Sequence, residues 1–212
     1  MDLTNIRGKY TTKGFDINNL DKNPFKQFEI WFKDAIDEKL PEPNAFSLAT
    51  VGKDLMPSLR TVLLKIFDEK GFVFFTNYES KKAQQIEENP QVAALFTWLI
   101  LERQIKIEGK IEKISKMESL KYFLSRPKGS QLGAWVSTQS QVISSRALLE
   151  QKFEEAKQKF LNKEIPIPSF WGGYIIKPIR IEFWQGGDDR LHDRFLYELQ
   201  NDGSWTISRL AP

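Results

Sequence analysis

The chain has no cysteine and a single histidine in 212 residues. The first absence removes disulfides, thiolate metal sites and a cysteine nucleophile, and the second removes any metal site that needs several imidazoles. No run approaches the roughly 18 uninterrupted apolar residues of a membrane-spanning helix, and the opening MDLTNIRGKYTTKG lacks the apolar core of a secretory signal. A block of one charge sign is missing too. Lys and Arg number 31 against 28 Asp and Glu, a formal net charge of +3 spread along the chain, which argues against a nucleic-acid surface. A cytoplasmic location with no nucleic-acid partner and no membrane partner is the expectation.

Aromatic residues are plentiful instead: 13% of the chain, with 16 Phe and 6 Trp. Such rings supply large flat contact surfaces in a core, at a subunit interface or around a planar ligand, and composition alone does not choose among these. The length fits one domain with a sizeable core.

After a polar N-terminal arm over residues 1–20, NPFKQFEIWFKDAIDEKL places Phe25, Phe28, Phe32, Ala35, Ile36 and Leu40 at helical spacing, with Pro24 in the first turn. AFSLATV (45–51), PSLRTVLLKIF (57–67) and GFVFFTN (71–77) are short, β-branched and aromatic, and predict antiparallel strands. SKKAQQIEEN (80–89) predicts a helix capped by Ser80 and stopped before Pro90. Strands near 91–99 and 103–114 follow, then helices near 116–125 and 144–161. Three last strands come from FWGGYIIKPIRIEFWQ, RLHDRFLYELQ and SWTISRLAP, with NDG (201–203) as a hairpin turn and Pro178 marking an edge or a bulge. Roughly seven strands without βαβ alternation predict a mainly β, α+β fold, an antiparallel barrel or sheet decorated by helices. Residues 21–212 are read as its single domain.

Four clusters could carry chemistry. Lys81 and Lys82 open a helix after TNYES, where backbone N–H groups and the helix dipole favour an anion, unless the lysines are merely solvated. Arg60 and Lys65 lie on one strand and point to opposite faces unless a bulge intervenes, which lets one strand meet two ligand groups or simply carry a polar residue near each end. Tyr122 and Arg126 share a helix face, with Gly129 and Ser130 read as a flexible turn beyond; the set suits a phosphate monoester or is an ordinary helix end. If residues 190–195 form a strand, Arg190, His192 and Arg194 share a face and repel one another unless a ligand lies among them. There His192 is an acid/base group or a structural histidine paired with an acid. Gln104, Gln139 and Ser140 suit the polar edge of a heteroaromatic ring, or plain surface.

RTVLLK (60–65), FTNYESKKAQQIEENP (75–90), LERQ (101–104), KYFLSRP (121–127), GAWVSTQS (133–140), PSFWGGY (168–174), EFWQGGDDRLHDRF (182–195) and the final RLAP resemble, in the same order, the pyridoxamine 5′-phosphate oxidase family. The likeness runs along nearly the whole chain, from about Arg7 to Pro212. It implies an FMN-binding split β-barrel that forms a homodimer with FMN at the subunit interface. The implied reaction oxidises pyridoxine 5′-phosphate or pyridoxamine 5′-phosphate to pyridoxal 5′-phosphate, with O2 reduced to H2O2.

Carried over by position, the implied FMN site is Arg60, Thr61, Val62, Leu63, Leu64, Lys65, Phe75, Thr76, Lys81, Lys82, Gln104, Gln139, Ser140, Trp184 and Arg194. The substrate site is Lys65, Tyr122, Arg126 and Ser130 around the phosphate, with Arg190, Leu191 and His192 beside the pyridine ring and Arg7 and Tyr10 in a mobile closing arm. Arg190, His192 and Arg194 are the implied catalytic set, and no metal is implied. Lys81 stands where the family often has Arg, and Phe75 where it often has Tyr. Two other functions remain open on the residues: another split-barrel flavin oxidoreductase, and a non-enzymatic module that binds FMN or pyridoxal phosphate.

Overall fold

A computed structural model describes Thr4 and residues 15–212. Arg7, Tyr10 and most of the expected arm lie outside the described residues. Strands β1 (Ala45–Val51), β2 (Pro57–Leu63), β3 (Ile66–Asp68), β4 (Gly71–Asn77), β5 (Gln91–Trp98), β6 (Arg103–Lys113), β7 (Trp171–Gln185), β8 (Asp193–Leu199) and β9 (Trp205–Leu210) form one nine-stranded antiparallel sheet. Its order is β2-β1-β5-β6-β7-β4-β3, with β8 and β9 continuing from β7. The stretch 57–67, expected as one strand, is split between β2 and β3, which are the two ends of that path. It breaks at Leu64–Lys65, where the Leu64 N–H donates to Asn44 O beside β1 and the next N–H, that of Lys65, donates to Val73 O on β4. The sheet therefore curls back on itself, which is how a hydrophobic sheet face hides without a second sheet.

β7 is the spine of the sheet. It pairs with β6 along most of its length, while its other edge is shared, Trp171–Ile176 going to β4 and Arg180–Gln185 to β8. Pro178 falls in the gap between these two partners, so its missing N–H costs no ladder bond there. On the β6 side the register shifts between Glu108 and Gly109, the bulge expected at Pro178.

The helices are α1 (Pro24–Asp37), α2 (Lys81–Glu88), α3 (Lys116–Ser125), α4 (Lys128–Val136) and α5 (Arg146–Lys159). α1 starts where its sequence says it should, with Pro24 in the first turn and the Asn23 side chain accepting from the Phe25 N–H. Its buried stripe is Phe25, Phe28, Trp31 and Ala35; Ile36, expected inside, is half exposed, and Trp31 takes the inward position. The Phe28 ring is fully buried, 4.9–5.2 Å from the rings of Phe67, Phe72 and Phe96, so α1 stoppers the curled sheet with an aromatic plug.

α4 occupies a stretch expected as a flexible turn at Gly129 and Ser130. Each glycine inside a helix costs about 1 kcal/mol relative to alanine. Burial of Leu132 and Ala134 against Phe123, Ile165 and Trp171, in a second apolar cluster apart from the main core, outweighs that cost. Among the described residues no helix is long and apolar enough to cross a membrane.

The bulge gives a direct test of the spine. A Cβ on Gly109 would sit 2.1 Å from the Lys177 carbonyl oxygen and 2.8 Å from Pro178 Cα, and neither is the end of a flexible side chain. Gly109→Ala is expected to lower stability by about 2 kcal/mol and the melting temperature by roughly 4–8 °C. Denaturant and thermal unfolding would measure it, and a loss below about 0.5 kcal/mol would show that the bulge accommodates a methyl group.

Candidate functional site

The strand break at Leu64–Lys65 is what makes a site. A continuous strand would send Arg60 and Lys65 to opposite faces. Here both line one cleft of about 780 Å3, between the open side of the sheet and the α3–α4 layer, within the range of ligand pockets. Thr61, Val62 and Leu63 of β2, Phe75 and Thr76 of β4, Lys82 of α2, Tyr122 and Arg126 at the end of α3, Ser130 of α4 and Gln139 line the same cleft. Leu64 is buried in the core instead, and Lys81 and Ser140 are exposed and line neither this cleft nor the second one described below. Trp171, Asn77 and Ser137 were not anticipated in it. For Trp171 the available signal was a large ring directly before the glycine pair of PSFWGGY.

Lys82 reaches inward from the first turn of α2 and is 7% exposed. Its ammonium donates to Gln139 Oε1 at 2.7 Å, Thr76 Oγ1 at 3.0 Å and Ser80 Oγ at 3.3 Å. Ser80 holds the cap position without capping the helix, because its hydroxyl donates to Asn77 O. Arg60 donates through Nη1 to Leu48 O and to Thr50 Oγ1, and Thr50 donates in turn to Gln85 Oε1 on α2, tying strand to helix. Burial, then the neighbouring Arg60 charge, lowers the Lys82 pKa to about 8.

Arg126 lies with its guanidinium carbon 4.7 Å from the centre of the Trp171 ring, a cation–π arrangement. The rings of Tyr122, Phe75 and Trp171 are nearly parallel, Phe75 lying 3.9 Å from Tyr122 and 5.4 Å from Trp171, and they form one wall of the cleft. Arg126 Nη1 is buried with no hydrogen-bond partner among the described residues. An unmade bond to a buried charged donor costs about 1–3 kcal/mol or more, so its natural complement is an anion. Arg60, Lys65, Lys82 and Arg126 thus line a cleft in which, among the described residues, no carboxylate takes part.

A second cleft, about 310 Å3, gathers the rest of the expected cofactor set. Gln104, Trp184 and Arg194 stand opposite one another across β6, β7 and β8, and line it with Leu95, Lys106, Glu182 and Pro212. The two clefts share no residue.

Arg190, His192 and Arg194 do not share a strand face, because β8 begins only at Asp193. Asp189 and Arg190 take left-handed φ values of 52° and 65° in a one-turn helix, and this fold-back brings His192 Nδ1 to accept from the Gly187 N–H at 3.1 Å. A side chain at Gly187 would collide with the Leu191 carbonyl oxygen, 2.5 Å from an added Cβ. The His192 ring packs 4.7 Å from Trp184. Nor do the cations need a ligand to relieve repulsion, since Arg194 is already paired with Glu182 at 2.8 Å. Arg190 and Leu191 are exposed on the turn.

Curled sheet, helical layer and a cleft lined by cations and aromatic rings define an antiparallel split-barrel protein. A family model described as pyridoxamine 5′-phosphate oxidase matches residues 32–160, and one described as the pyridoxine 5′-phosphate oxidase C-terminal dimerisation region matches residues 171–212. The pyridoxine/pyridoxamine 5′-phosphate oxidase of Aliarcobacter butzleri (strain RM4018) is 78% identical over 212 residues, 100% of both chains. That of Crocosphaera subtropica (strain ATCC 51142 / BH68) is 65% identical over 214 residues, again 100% of both. Among solved structures, PhzG from Burkholderia lata 383, in complex with tetrahydrophenazine-1-carboxylic acid, superposes with a TM-score of 0.89 at 26% identity, covering 97% of this chain and 100% of that one. The chain belongs to the pyridoxamine 5′-phosphate oxidase family and is an oxidoreductase.

Lys82 offers a test of the charge balance. Its folded-state pKa lies below the unfolded one, so the ligand-free fold carries the cost of a buried ammonium below pH of about 8 and regains stability as pH rises from there towards 10.5. Lys82→Met is therefore expected to melt higher than the parent at pH 7 without ligand, with the gap closing by about pH 10. It should also bind inorganic phosphate more weakly. A pH-independent gap in calorimetric melting temperatures would contradict the assignment.

Proposed function

We propose that this chain carries out the FMN-dependent oxidation of pyridoxine 5′-phosphate or pyridoxamine 5′-phosphate to pyridoxal 5′-phosphate in the cytoplasm. Oxygen is the electron acceptor and H2O2 the by-product, in vitamin B6 biosynthesis and salvage. The alcohol substrate loses two electrons and two protons to become the aldehyde; the amine substrate also exchanges its nitrogen for the oxygen of water. The observation that carries this reading is the buried Arg126 Nη1, without a partner among the described residues, in a cleft where these residues supply four cations and no carboxylate. Together with full-length identity to proteins named for this reaction, it favours phosphorylated ligands.

The residues fit FMN. Arg60 and Lys82, the latter bonded to Thr76 and Gln139, form one cation pair suited to the cofactor phosphate. Lys65, Tyr122, Arg126 and Ser130 form a second group, suited to a substrate phosphate beside the aromatic wall. When bound, FMN supplies the hydride acceptor and passes the electrons to O2. The protein's part is to hold the substrate, exclude water and place charge. Accepting at Nδ1 leaves the proton of a neutral His192 on Nε2, a donor able to hold and polarise the substrate. Arg190 positions the ring, and Arg194 places positive charge where a reduced, more anionic flavin is stabilised.

The division of the cofactor set between two clefts favours a homodimer in which one protomer's Gln104, Trp184 and Arg194 complete the phosphate cleft of its partner. The region described as a dimerisation region contains Trp184 and Arg194.

Purified protein is expected to be yellow, or to become so with FMN, and to form the aldehyde from pyridoxine 5′-phosphate in air. Protein that stays colourless with added FMN would refute the flavin reading, and yellow protein without turnover would leave a binding module. In the active protein, Arg126→Ala should raise KM roughly 10- to 100-fold, the worth of a charged hydrogen bond; an unchanged KM would remove Arg126 from the phosphate site. His192→Ala should lower kcat/KM by more than twofold, and a change within about 0.4 kcal/mol would end any role for it in binding or catalysis.

A further inference from the structure

Glu182 is 6% exposed and sits on the second cleft, two residues before Trp184 and on the same face of β7. In register it lies opposite Lys106 of β6, one row behind Gln104, Trp184 and Arg194. One carboxylate oxygen accepts from both Nε and Nη2 of Arg194 at 2.8 Å, and the other takes the Lys106 ammonium at 3.0 Å. Arg194 Nη1 donates to Ala211 O at 2.8 Å, so the guanidinium is gripped on two sides. Lys106 also reaches Glu108 at 3.4 Å. Burial alone pushes the Glu182 carboxyl pKa up, but hydrogen bonds and charge from Arg194 and Lys106 hold it below the usual range, so it is an anion at neutral pH. A buried carboxylate between two cations adds little to stability once its desolvation is counted. What it gives is a fixed direction and a fixed local charge.

We infer that Glu182 is the positioning residue of Arg194: it fixes the guanidinium against the second cleft and, with Lys106, sets the positive charge presented there. The inference rests on the reading above that Arg194 faces the flavin. An anion near the flavin disfavours its reduction and a cation favours it, so Glu182 and Lys106 act as opposed trims on the charge that Arg194 supplies.

The test uses FMN-loaded protein equilibrated with a reference dye. In Glu182→Gln the amide oxygen still accepts from Arg194, while the amide NH2 cannot accept from Lys106, whose ammonium keeps Glu108 as its partner, so the grip on Arg194 stays while the negative charge goes. The ratio of reduced to oxidised flavin should rise about five- to tenfold, which is about 20–30 mV for a two-electron couple. Lys106→Met should lower that ratio by a similar factor. Glu182→Ala, which lets Arg194 go, should weaken FMN binding at least severalfold, while Glu182→Gln keeps it near the parent value. A residue that only supports the fold would not shift the two ratios in opposite directions. Shifts of the same sign, or none in protein that is yellow and active, would overturn this inference alone; a parent protein that binds no FMN would overturn it together with the flavin reading. If Glu182→Gln fails to fold, Lys106→Met decides, since that side chain is 42% exposed and its removal leaves the core untouched.

Discussion

Arg60 and Lys82 are held side by side with no carboxylate among the described residues of the cleft, and the architecture of the site follows from that constraint. Such a pair would separate on a flexible surface, because each would gain by moving into water. Here Arg60 is anchored to Leu48 O and Thr50, Lys82 to Thr76 and Gln139, and both anchors belong to strands of the curled sheet or the loop packed on it. The energy to hold them comes from elsewhere, chiefly the aromatic plug where Phe28 meets Phe67, Phe72 and Phe96. A core of this kind can sustain a few kcal/mol of unfavourable electrostatics that an anionic ligand then relieves.

The same division of labour explains which parts of the molecule could be read from the sequence. β1, β5 and β6 follow a period-two pattern, α2 and α3 a helical one, and β4 is a short apolar run buried along nearly its whole length, so there local signal and final structure agree. Legibility failed where a tertiary contact decides. The PSLRTVLLKIF run reads as one strand, and nothing local marks Leu64–Lys65 as the corner; the break exists because Asn44 O and Val73 O claim successive N–H groups from different neighbours. α4 was hidden by its glycines and depends on burying Leu132 and Ala134.

The site was legible in its inventory more than in its geometry. The RTVLLK, ESKK and KYFLSRP clusters do converge on one cleft, but through the strand break and the α3–α4 corner, which periodicity does not show. The RLHDRF segment was misread as a strand, because alternation at 190–195 mimics one; left-handed values at Asp189 and Arg190 turn the chain first, and β8 starts later. Glu182 went unnoticed although Glu182 and Trp184 alternate visibly, since only the cross-strand register reveals that Lys106 and Arg194 meet it.

On the proposed function, the residues expected around one flavin are divided in a single chain between two clefts. The first cleft has cations and an aromatic wall but not Gln104, Trp184 and Arg194, the residues expected at a flavin edge, and the second has these three without the four cations of the first. Folding within one chain cannot join them, because β6, β7 and β8 that carry the second are locked into the same sheet as β2 and β4 that carry the first. A two-fold pair of protomers can, since an isologous interface places each surface against the other's complement and yields two complete sites at once. On this arrangement the Glu182–Arg194 grip has a further reason to exist: a guanidinium that must reach into a neighbouring protomer's site is useful only if its own strand holds it at a fixed angle before the two meet.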